Sequence, residues 1–478
     1  ESKRASLECH SEEHTELWGD VVVWGSQHLK NSAQECCDAC KGKAEAGCNV
    51  WVWNPDSHEC WLKHVPNPEG SAPMARGEEV VWTSGWLLEE ASLDDGAADE
   101  GGGGPPRCLH AVLTSNGNPY MNWQTRIMYR TYLKAASSPG SVLKAFTRVL
   151  HRSTDDDLME EIPTMRFNPD HLECDEYCTF PVADRSGALV EWGRTPDAKR
   201  CSHVIFVETD HLFIKSPSPA VMLKPGAAYA FPFGYIVPTH RGVQDVLRRF
   251  FPAEKGPLSN IPATGNSPVV MHTSNLETVM PAWAEVVARV EADDEAKEKL
   301  GWVRDMYAYA VAVALANVRH MLFKPPHSLL MVQPPADIEV GEACILHYTW
   351  GAIISDARGE TVWEFDKRTY GGGQFNPGPY KLYQLAEPPK WDANRGFKLQ
   401  DGKRITESGL ELIRLLVHTF NAAVAELPEL PKGFTDRGAA MSAASSSPAA
   451  KQRAREVVQV NQLKERSDAW LAIPKNSA

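Results

Sequence analysis

The sequence lacks the long apolar runs and the excess of positive charge that mark two common classes of protein. No stretch of eighteen or more apolar residues occurs in its 478 residues, and Glu1–Ser6 lacks the apolar character of a signal peptide. Acidic residues outnumber basic ones by 62 to 49, whereas a nucleic-acid surface needs clustered Lys and Arg. We therefore expect no nucleic-acid partner and a soluble chain, although a membrane anchor removed from its start would leave the same sequence.

An N-glycosylation sequon is also missing, so the expected compartment depends on the cysteines. Their density in the first sixty residues predicts disulfides, and hence the secretory pathway or the cell exterior, from Cys9, Cys36, Cys37, Cys40, Cys48 and Cys60. Cys37 and Cys40 have the spacing of a zinc knuckle, but no second close pair completes it, which leaves zinc as the minor alternative. Because the chain has 11 cysteines, at least one thiol is free or bonds to another chain.

Composition divides the chain into four segments. Residues 8–88 combine cysteines and tryptophans with short alternating strands, which is typical of a small disulfide-rich α+β module. Its tryptophans are interpreted as core residues rather than a binding surface, and Ser32–Glu35 predicts the start of a helix carrying three cysteines. Residues 89–106 are an acidic, glycine-rich linker, residues 107–432 form an α/β domain, and residues 433–478 are a low-complexity segment and tail.

Within the α/β segment, strand and helix patterns alternate. Leu109–Thr114, Val142–Leu150 and the wholly apolar His203–Val207 are predicted strands, and Trp123–Ala136 is an amphipathic helix. Two later stretches, Ala284–Leu300 and Arg304–Asn317, also have a helical pattern. This order indicates a mostly parallel sheet that binds ligands at the carboxyl ends of its strands.

The strand His203–Val207 is followed at once by Glu208-Thr-Asp210, an acid-x-acid motif. Carboxylates at such a strand end suit a divalent ion of the Mg or Mn type, which neutralises a leaving diphosphate. Taken alone, the motif is more often a solvated turn. His347 follows a second apolar strand and is a candidate second ligand, although a lone His is more often structural.

Two known families resemble parts of this chain. The first segment is similar to PAN/apple domains, which implies that Cys36 and Cys40 pair with Cys60 and Cys48. Residues 109 to about 370 resemble the plant and algal hydroxyproline O-arabinosyltransferases in matching blocks at Pro119–Tyr129, Phe146–His151, Glu161–Thr164, Val207–His211, Gly265–Val269, Gly301–Tyr307, His347–Gly351 and Glu364–Arg368. The implied fold is a Rossmann-like GT-A domain.

The second resemblance also implies the roles of particular residues. Asp210 and His347 would hold Mn2+, with Glu208 on the metal or ribose side. A UDP-sugar would contact Thr114, Ser115, Gln124, Arg126, Arg148, Lys367 and Arg368. For the basic residues in that set, a structural ion pair is the alternative.

Asp305 is the candidate catalytic acid near the anomeric carbon, at a position where the family often has Glu. A structural role, capping its helix or pairing with Arg304 or Arg126, is the alternative for this carboxylate. Four aromatic residues would wall the sugar and acceptor: Trp302, Tyr307, Trp350 and Trp363.

The implied activity is transfer of L-arabinofuranose from UDP-arabinofuranose to peptidyl hydroxyproline, with retained configuration, in the Golgi or ER lumen. The acceptor would be an extensin-like, hydroxyproline-rich chain in polyproline II form, which suits an aromatic-lined groove. A peptidyl-serine galactosyltransferase is the related alternative, although the blocks around His151 and Glu364–Arg368 favour arabinosyl transfer. A catalytically inactive glycoprotein-binding protein is the alternative from another class, and the retained acids argue against it.

Overall fold

The structure is a computed structural model that describes residues 7–65, 73–77, 79–89, 105–176, 178, 180–370 and 382–428. The chain divides into two compact units, Glu1–Gly103 and Gly104–Ala478. Most of the predicted linker and all of the predicted segment 433–478 lie outside the described residues. The boundaries expected from composition therefore remain predictions.

The first unit is a small α+β module. One helix packs on a five-stranded sheet with the order β1-β7-β4-β5-β3, and β2 pairs with β6. The elements are β1 (Leu7–Cys9), β2 (Thr15–Leu17), β3 (Asp20–Val23), α1 (Ala33–Lys41), β4 (Val50–Trp53), β5 (Cys60–His64), β6 (Pro73–Arg76) and β7 (Thr83–Glu89).

Helix α1 begins where the sequence predicts. The Ser32 hydroxyl accepts a hydrogen bond from the Glu35 N–H at 3.1 Å, and the Glu35 carboxylate accepts from the Asn31 N–H at 3.0 Å. The first bond pairs a first-turn N–H that has no partner within the helix, and the second fixes the residue just before the N-cap.

Disulfides hold this helix to its sheet. Cys36 bonds to Cys60 and Cys40 to Cys48, which confirms the pairing implied by the PAN/apple resemblance. A third bond joins Cys37 to Cys9. The zinc alternative is therefore wrong, because the sulfurs of Cys37 and Cys40 are both oxidised.

The tryptophans of the module divide between core and surface. Trp51 and Trp86 are buried, as the core interpretation predicts. Trp18 and Trp24 are 56% and 60% exposed, so that interpretation is wrong for these two residues. Trp18 lies two residues before β3, and Trp24 directly follows it.

The second unit is built on a seven-stranded sheet with the order β10-β9-β8-β11-β14-β13-β15. Its strands are β8 (Leu109–Ser115), β9 (Leu143–His151), β10 (Thr164–Phe167), β11 (His203–Val207), β13 (Ala227–Pro232), β14 (Thr264–His272) and β15 (Arg319–Leu322). Every neighbouring pair is parallel except those involving β14. The prediction of a mostly parallel sheet is confirmed, with β11 as its central strand.

Six of the helices in this unit are α2 (Pro119–Ala136), α3 (Arg185–Gly193), α4 (Gln244–Phe250), α5 (Leu276–Glu291), α6 (Asp294–Leu300) and α7 (Arg304–Leu315). The helix expected over Ala284–Leu300 is in fact two helices. Asp293 interrupts it, because its carboxylate accepts from the Ala296 N–H at 3.0 Å and so caps α6 as a separate helix.

Two small sheets and the last described helix form a second apolar core. The sheets have the orders β12-β17-β16 and β19-β18-β20. Their elements are β12 (His211–Phe213), β16 (Met331–Val332), β17 (Ile345–His347), β18 (Ala352–Ser355), β19 (Thr361–Phe365), β20 (Lys398–Leu399) and α8 (Glu407–Ala425). Trp123 of α2 is buried in this core against Tyr370 and Phe420, which joins it to the main sheet.

The five remaining cysteines form two disulfides and one free thiol. Cys108 and Cys201 form a disulfide that ties the start of β8 to the residue region before β11, and Cys174 bonds to Cys178. Cys344 is a buried free thiol, as an odd number of cysteines allows. None of the helices in the described part of the chain combines the length and apolar character needed to cross a membrane.

Candidate active site

The acid-x-acid motif lies at the carboxyl end of the central strand β11. The chain turns there through Glu208-Thr-Asp210 and continues as β12, which pairs antiparallel with β17. In this register His211 lies opposite His347. Residues more than 130 positions apart in the chain thus meet at the strand end where an open α/β sheet binds its ligands.

Asp210 is buried at the centre of this group. Its Oδ2 accepts a hydrogen bond from Nε2 of His347 at 3.1 Å and another from the ammonium group of Lys367. Burial alone would raise the pKa of Asp210, but the charges of His347 and Lys367 hold it well below its ordinary value. The carboxylate is therefore ionised at neutral pH.

His211 was missed in the sequence analysis, although it directly follows Asp210. It is fully buried, and its Nδ1 accepts from the Glu208 N–H at 3.2 Å. Burial and the charge of His347 keep its pKa well below the usual value, so the ring is neutral with its proton on Nε2. Among the described residues Nε2 has no hydrogen-bond partner. A His that directly follows an acid-x-acid motif is the sequence signal that could have identified this residue.

Asp210, His211 and His347 are grouped closely enough to hold a metal ion. Two donor atoms bound side by side to one small divalent ion lie about 3 Å apart, given metal–ligand distances near 2.1 Å. The 3.1 Å between Asp210 Oδ2 and His347 Nε2 matches that spacing. Lys367 supplies a positive charge at the same oxygen. A carboxylate and an imidazole at this spacing fit a divalent ion, with the open positions left to water and substrate.

Glu208 and Asp305 are linked by an arginine that sequence reasoning did not select. Arg185, in the first turn of α3, donates from Nη1 to Oε1 of Glu208 at 2.7 Å, and its Nε lies 3.5 Å from Oδ2 of Asp305. Asn266 donates to the same oxygen of Glu208 at 3.2 Å. Glu208 thus faces Arg185, which lies between the two acids.

Asp305 itself is buried in the first turn of α7. Burial raises its pKa to about 7, an effect that Arg185 opposes and the charge of Glu208 reinforces. Its Oδ1 has no hydrogen-bond partner in the described part of the chain. The structural alternative named Arg304 or Arg126 as partner. Those two partners are wrong, because Arg304 pairs with Glu291 and Arg126 with Glu161. Asp305 forms its ion pair with Arg185 instead.

Thr114 and Ser115 lie at the carboxyl end of β8, beside β11 in the sheet. Both are buried, and the Ser115 hydroxyl accepts from the Gly117 N–H at 3.1 Å. Gln124, one helical turn into α2, donates to the Tyr120 carbonyl at 2.8 Å. The structure therefore brings Thr114 and Ser115 to the ligand edge, whereas the Gln124 amide satisfies its own helix.

Three of the predicted basic residues are paired with other groups of the protein. Arg126 donates to Glu161 at 2.7 Å and to the Pro428 carbonyl at 2.8 Å. Arg148 is fully buried in an ion pair with Asp156. Arg368 binds Asp366 and the Thr349 carbonyl, each at 3.2 Å. Of the predicted cations, Lys367 is the one in contact with Asp210.

The four expected wall residues divide in two. Trp363 is buried and donates to the Ala386 carbonyl at 2.7 Å, and Tyr307 is buried with its hydroxyl accepting from the Val237 N–H at 3.0 Å. Trp302 and Trp350 are exposed.

Counted along the chain, the main sheet has the order 3-2-1-4-6-5-7, and its first four strands follow the Rossmann arrangement. A buried acid-x-acid motif follows the fourth strand and meets a distant His. This combination is the one expected of a GT-A glycosyltransferase domain. The family model for the hydroxyproline O-arabinosyltransferase N-terminal domain matches residues 109–322, and a PAN domain model matches residues 15–63. The chain belongs to the hydroxyproline O-arabinosyltransferase family.

Individual relatives support that membership. The chain is 36% identical over 326 residues to hydroxyproline O-arabinosyltransferase PLENTY of Lotus japonicus, covering 67% of this chain and 81% of the relative. It is 39% identical over 272 residues to hydroxyproline O-arabinosyltransferase 1 of Arabidopsis thaliana, covering 55% and 71% of the two chains. A peptidyl serine alpha-galactosyltransferase of the same plant is 22% identical over 278 residues, 55% of this chain and 31% of that protein.

Among solved structures, a complex of the galactosyltransferase LgtC with donor and acceptor sugar analogues aligns with a TM-score of 0.35 at 11% identity. The alignment covers 69% of this chain and 99% of that one.

Proposed function

We propose that this glycosyltransferase transfers L-arabinofuranose from UDP-arabinofuranose to the hydroxyl group of peptidyl hydroxyproline, with retention of anomeric configuration. The family membership and the names of its relatives support this substrate pair. The observation that carries the proposal is the contact of Asp210 with His347 at the carboxyl end of the central strand. A domain of this family that had lost its activity would have no need of a buried, ionised carboxylate beside a buried imidazole.

Asp210 and His347 would hold Mn2+ in this proposal. Glu208, two residues before Asp210, would lie on the ribose side. Bound there, the ion would offset the negative charge of the diphosphate as the UDP leaves. Lys367 has a four-carbon stem and a rotatable ammonium group, so it can exchange Asp210 for a phosphate oxygen. The Nε2–H of His211 is a buried donor that lacks an acceptor, and a phosphate oxygen would satisfy it.

The nucleotide would lie along the ends of β8 and β11, against Thr114 and Ser115. Arg368 lies at the same edge as Lys367 and would face the diphosphate only after release from Asp366. We assign Arg126 and Arg148 structural roles, because each neutralises a carboxylate of the protein, Glu161 and Asp156 respectively. Removing a buried partner from such a pair leaves an uncompensated charge. We also leave Gln124 out of the donor site, because its amide group already donates to the Tyr120 carbonyl.

In the transfer, the hydroxyproline oxygen forms a bond to the anomeric carbon and loses its proton. The bond from that carbon to the UDP oxygen breaks with its electron pair, and the departing diphosphate takes up the proton. Asp305 is the carboxyl group that we assign to the sugar. Its Oδ1 is buried without a partner among the described residues, and Nε of Arg185 lies 3.5 Å from the other oxygen. A carboxyl group positioned in this way can stabilise positive charge that develops at the anomeric carbon.

An oxidising compartment belongs to the proposal. Five disulfides form within the described residues, which agrees with the secretory pathway, and we propose the Golgi or ER lumen. The acceptor would be a secreted, hydroxyproline-rich protein of the extensin type.

A two-by-two transfer assay tests the substrate pair. The chain with Mn2+ is given UDP-arabinofuranose or UDP-galactose, each with a hydroxyproline peptide or a serine peptide, and the products are weighed by mass spectrometry. We expect a pentose on hydroxyproline alone, and NMR of that product to show retained configuration. A hexose on serine would instead assign the activity of the galactosyltransferase relative. No product from a folded chain would favour a non-catalytic glycoprotein-binding role.

A further inference from the structure

Arg185 is a buried arginine that lies between the two carboxyl groups assigned to the donor. It belongs to the first turn of α3 and is 6% exposed. Its Nη1 donates to Oε1 of Glu208 at 2.7 Å, and its Nε lies 3.5 Å from Oδ2 of Asp305. One guanidinium group therefore contacts both the acid at the end of β11 and the acid at the start of α7.

These contacts involve one oxygen of each acid. Oε1 of Glu208 accepts from Arg185 and also from Asn266 at 3.2 Å, whereas no side chain in the described part of the chain donates to Oε2. Oδ1 of Asp305 likewise has no hydrogen-bond partner among the described residues. Because a carboxyl group is planar and rigid, placing one of its oxygens also sets the direction of the other. The unpaired oxygens are therefore the ones available to a ligand.

The backbone that carries Arg185 is anchored. Oδ1 of Asp184, the residue directly before Arg185, binds Nδ1 of His171 at 2.7 Å. Helix α3 also packs against α5 and against β9 of the main sheet. Groups that act on a substrate must be supported by side chains whose own positions are fixed by packing and hydrogen bonds. Arg185 meets this condition.

Arg185 supplies the positive charge between these acids. His151, at the carboxyl end of β9, is buried, and burial together with the charge of Arg185 lowers its pKa to about 3, so its ring is neutral. The ion pairs that the described residues form with Glu208 and Asp305 are both made by Arg185. A guanidinium group presents several N–H donors in a planar fork, whereas a lysine ammonium is a point charge. Contact with two acids therefore depends on the shape of Arg185 as well as on its charge.

We propose that Arg185 is a positioning residue for the transfer reaction, which directs the unpaired oxygen of Glu208 to the nucleotide and that of Asp305 to the sugar. The inference rests on the proposed function, since it concerns the same donor site. Loss of the contact with Glu208 weakens nucleotide binding, and loss of the contact with Asp305 slows the chemical step. A residue that only neutralised buried charge would leave both quantities unchanged when another cation replaced it.

Arg185→Lys tests the inference, because it keeps the charge and removes the fork. UDP binding in the presence of Mn2+ is measured by calorimetry, and kcat for pentose transfer by mass spectrometry, at a temperature where circular dichroism shows each variant fully folded. We expect UDP to bind about tenfold more weakly. We expect kcat to fall about 100-fold, because the carboxyl group at the sugar is misplaced. Arg194→Lys, which alters an exposed arginine paired with Glu191 directly after α3, is the matched control and should change neither quantity.

Asn266→Ala separates the effect on binding from the effect on the chemical step. It removes the other donor to Oε1 of Glu208 and leaves the contact between Arg185 and Asp305 in place. We expect UDP to bind about threefold more weakly with kcat nearly unchanged. An equal fall in kcat for Asn266→Ala and Arg185→Lys would overturn the inference. If Arg185→Lys does not fold, Asn266→Ala decides alone, and an unchanged affinity for UDP would overturn the inference.

The inference and the proposed function fail separately. If the unaltered chain adds no pentose to hydroxyproline, the proposed function fails, whereas the UDP affinities of Arg185→Lys and Asn266→Ala still test the positioning role. If pentose is transferred and Arg185→Lys matches the unaltered chain in both UDP affinity and kcat, the function stands and the positioning role of Arg185 is wrong.

Discussion

The ammonium group of Lys367 donates a hydrogen bond to Oδ2 of Asp210, the carboxylate oxygen that a metal ion would use. Without a bound ion, the lysine supplies the positive charge that a buried carboxylate needs. Lysine and metal ion therefore compete for one oxygen, and this competition has consequences for metal and donor binding.

Lys367→Ala should change the affinity for the metal ion and the affinity for the donor in opposite directions. Because the competing ammonium is gone, we expect Mn2+ alone to bind about tenfold more tightly, equivalent to about 1.4 kcal/mol. UDP should bind more weakly in the presence of Mn2+, because a cation for the diphosphate is lost. Calorimetric titration measures both affinities. Lys403→Ala, which removes an exposed lysine paired with Asp401, is the control. Weaker Mn2+ binding by Lys367→Ala would contradict the competition.

Arg185 should be more important for stability than its single charge suggests, since it lies between two acids. In Arg185→Gln both Glu208 and Asp305 lose their cation, and we expect the catalytic unit to lose about 3 kcal/mol or more of unfolding free energy. Arg185→Lys should not restore it, because one ammonium cannot reproduce two separated guanidinium contacts.

Differential scanning calorimetry measures the loss, and Arg194→Gln, on the exposed end of the same helix region, is the control. Equal unfolding temperatures for Arg185→Gln and Arg194→Gln would show that Arg185 is dispensable.

The activity should depend on pH through Asp305. Since burial raises its pKa to about 7, this group is protonated and neutral below that pH and ionised above it. If the carboxylate is the active form, kcat/KM rises with pH up to about 7 and then levels off. Asp305→Asn should lose most activity and the rising limb, whereas Asp305→Glu should keep both in part. A flat profile across pH 7 in the unaltered chain would argue against this role.

The disulfide between Cys108 and Cys201 should stabilise the catalytic unit strongly. It closes a loop across a sequence separation of 93, and the resulting decrease in the entropy of the unfolded chain corresponds to about 4–5 kcal/mol of stability. The Cys174–Cys178 bond spans a separation of 4 and should contribute about half as much. We expect the double variant Cys108→Ser, Cys201→Ser to unfold at a clearly lower temperature than the double variant Cys174→Ser, Cys178→Ser. The reverse order would contradict the loop-length argument.

Sequence patterns were sufficient for elements whose signal is local. The apolar strand His203–Val207 is buried along its whole length, and its ending in two acids predicted the position of Asp210. The capping box at Ser32 likewise marked the start of a helix. Such features depend on neighbouring residues, which a single sequence displays.

Contacts between distant residues were harder to predict. The roles of Arg185 and His211 depend on Asp305 and His347, which lie more than 100 positions away, and no local pattern marks an arginine that binds two acids. Arg126 and Arg148 illustrate a second limit of sequence patterns. They occur in blocks that match the family, but Glu161 and Asp156 neutralise them inside the protein.

The measurement that tests the account most directly is sugar transfer by the chain and by Asp210→Asn. Both proteins are incubated with Mn2+, UDP-arabinofuranose and a hydroxyproline peptide, and the peptide mass is followed over time, with Asp401→Asn as a surface control. The account predicts a gain of one or more pentosyl residues with the unaltered chain and with Asp401→Asn, lost on chelation of Mn2+, and none with Asp210→Asn. Equal transfer by Asp210→Asn, or transfer unaffected by chelation, would contradict the assignment of Asp210 to a metal-dependent donor site.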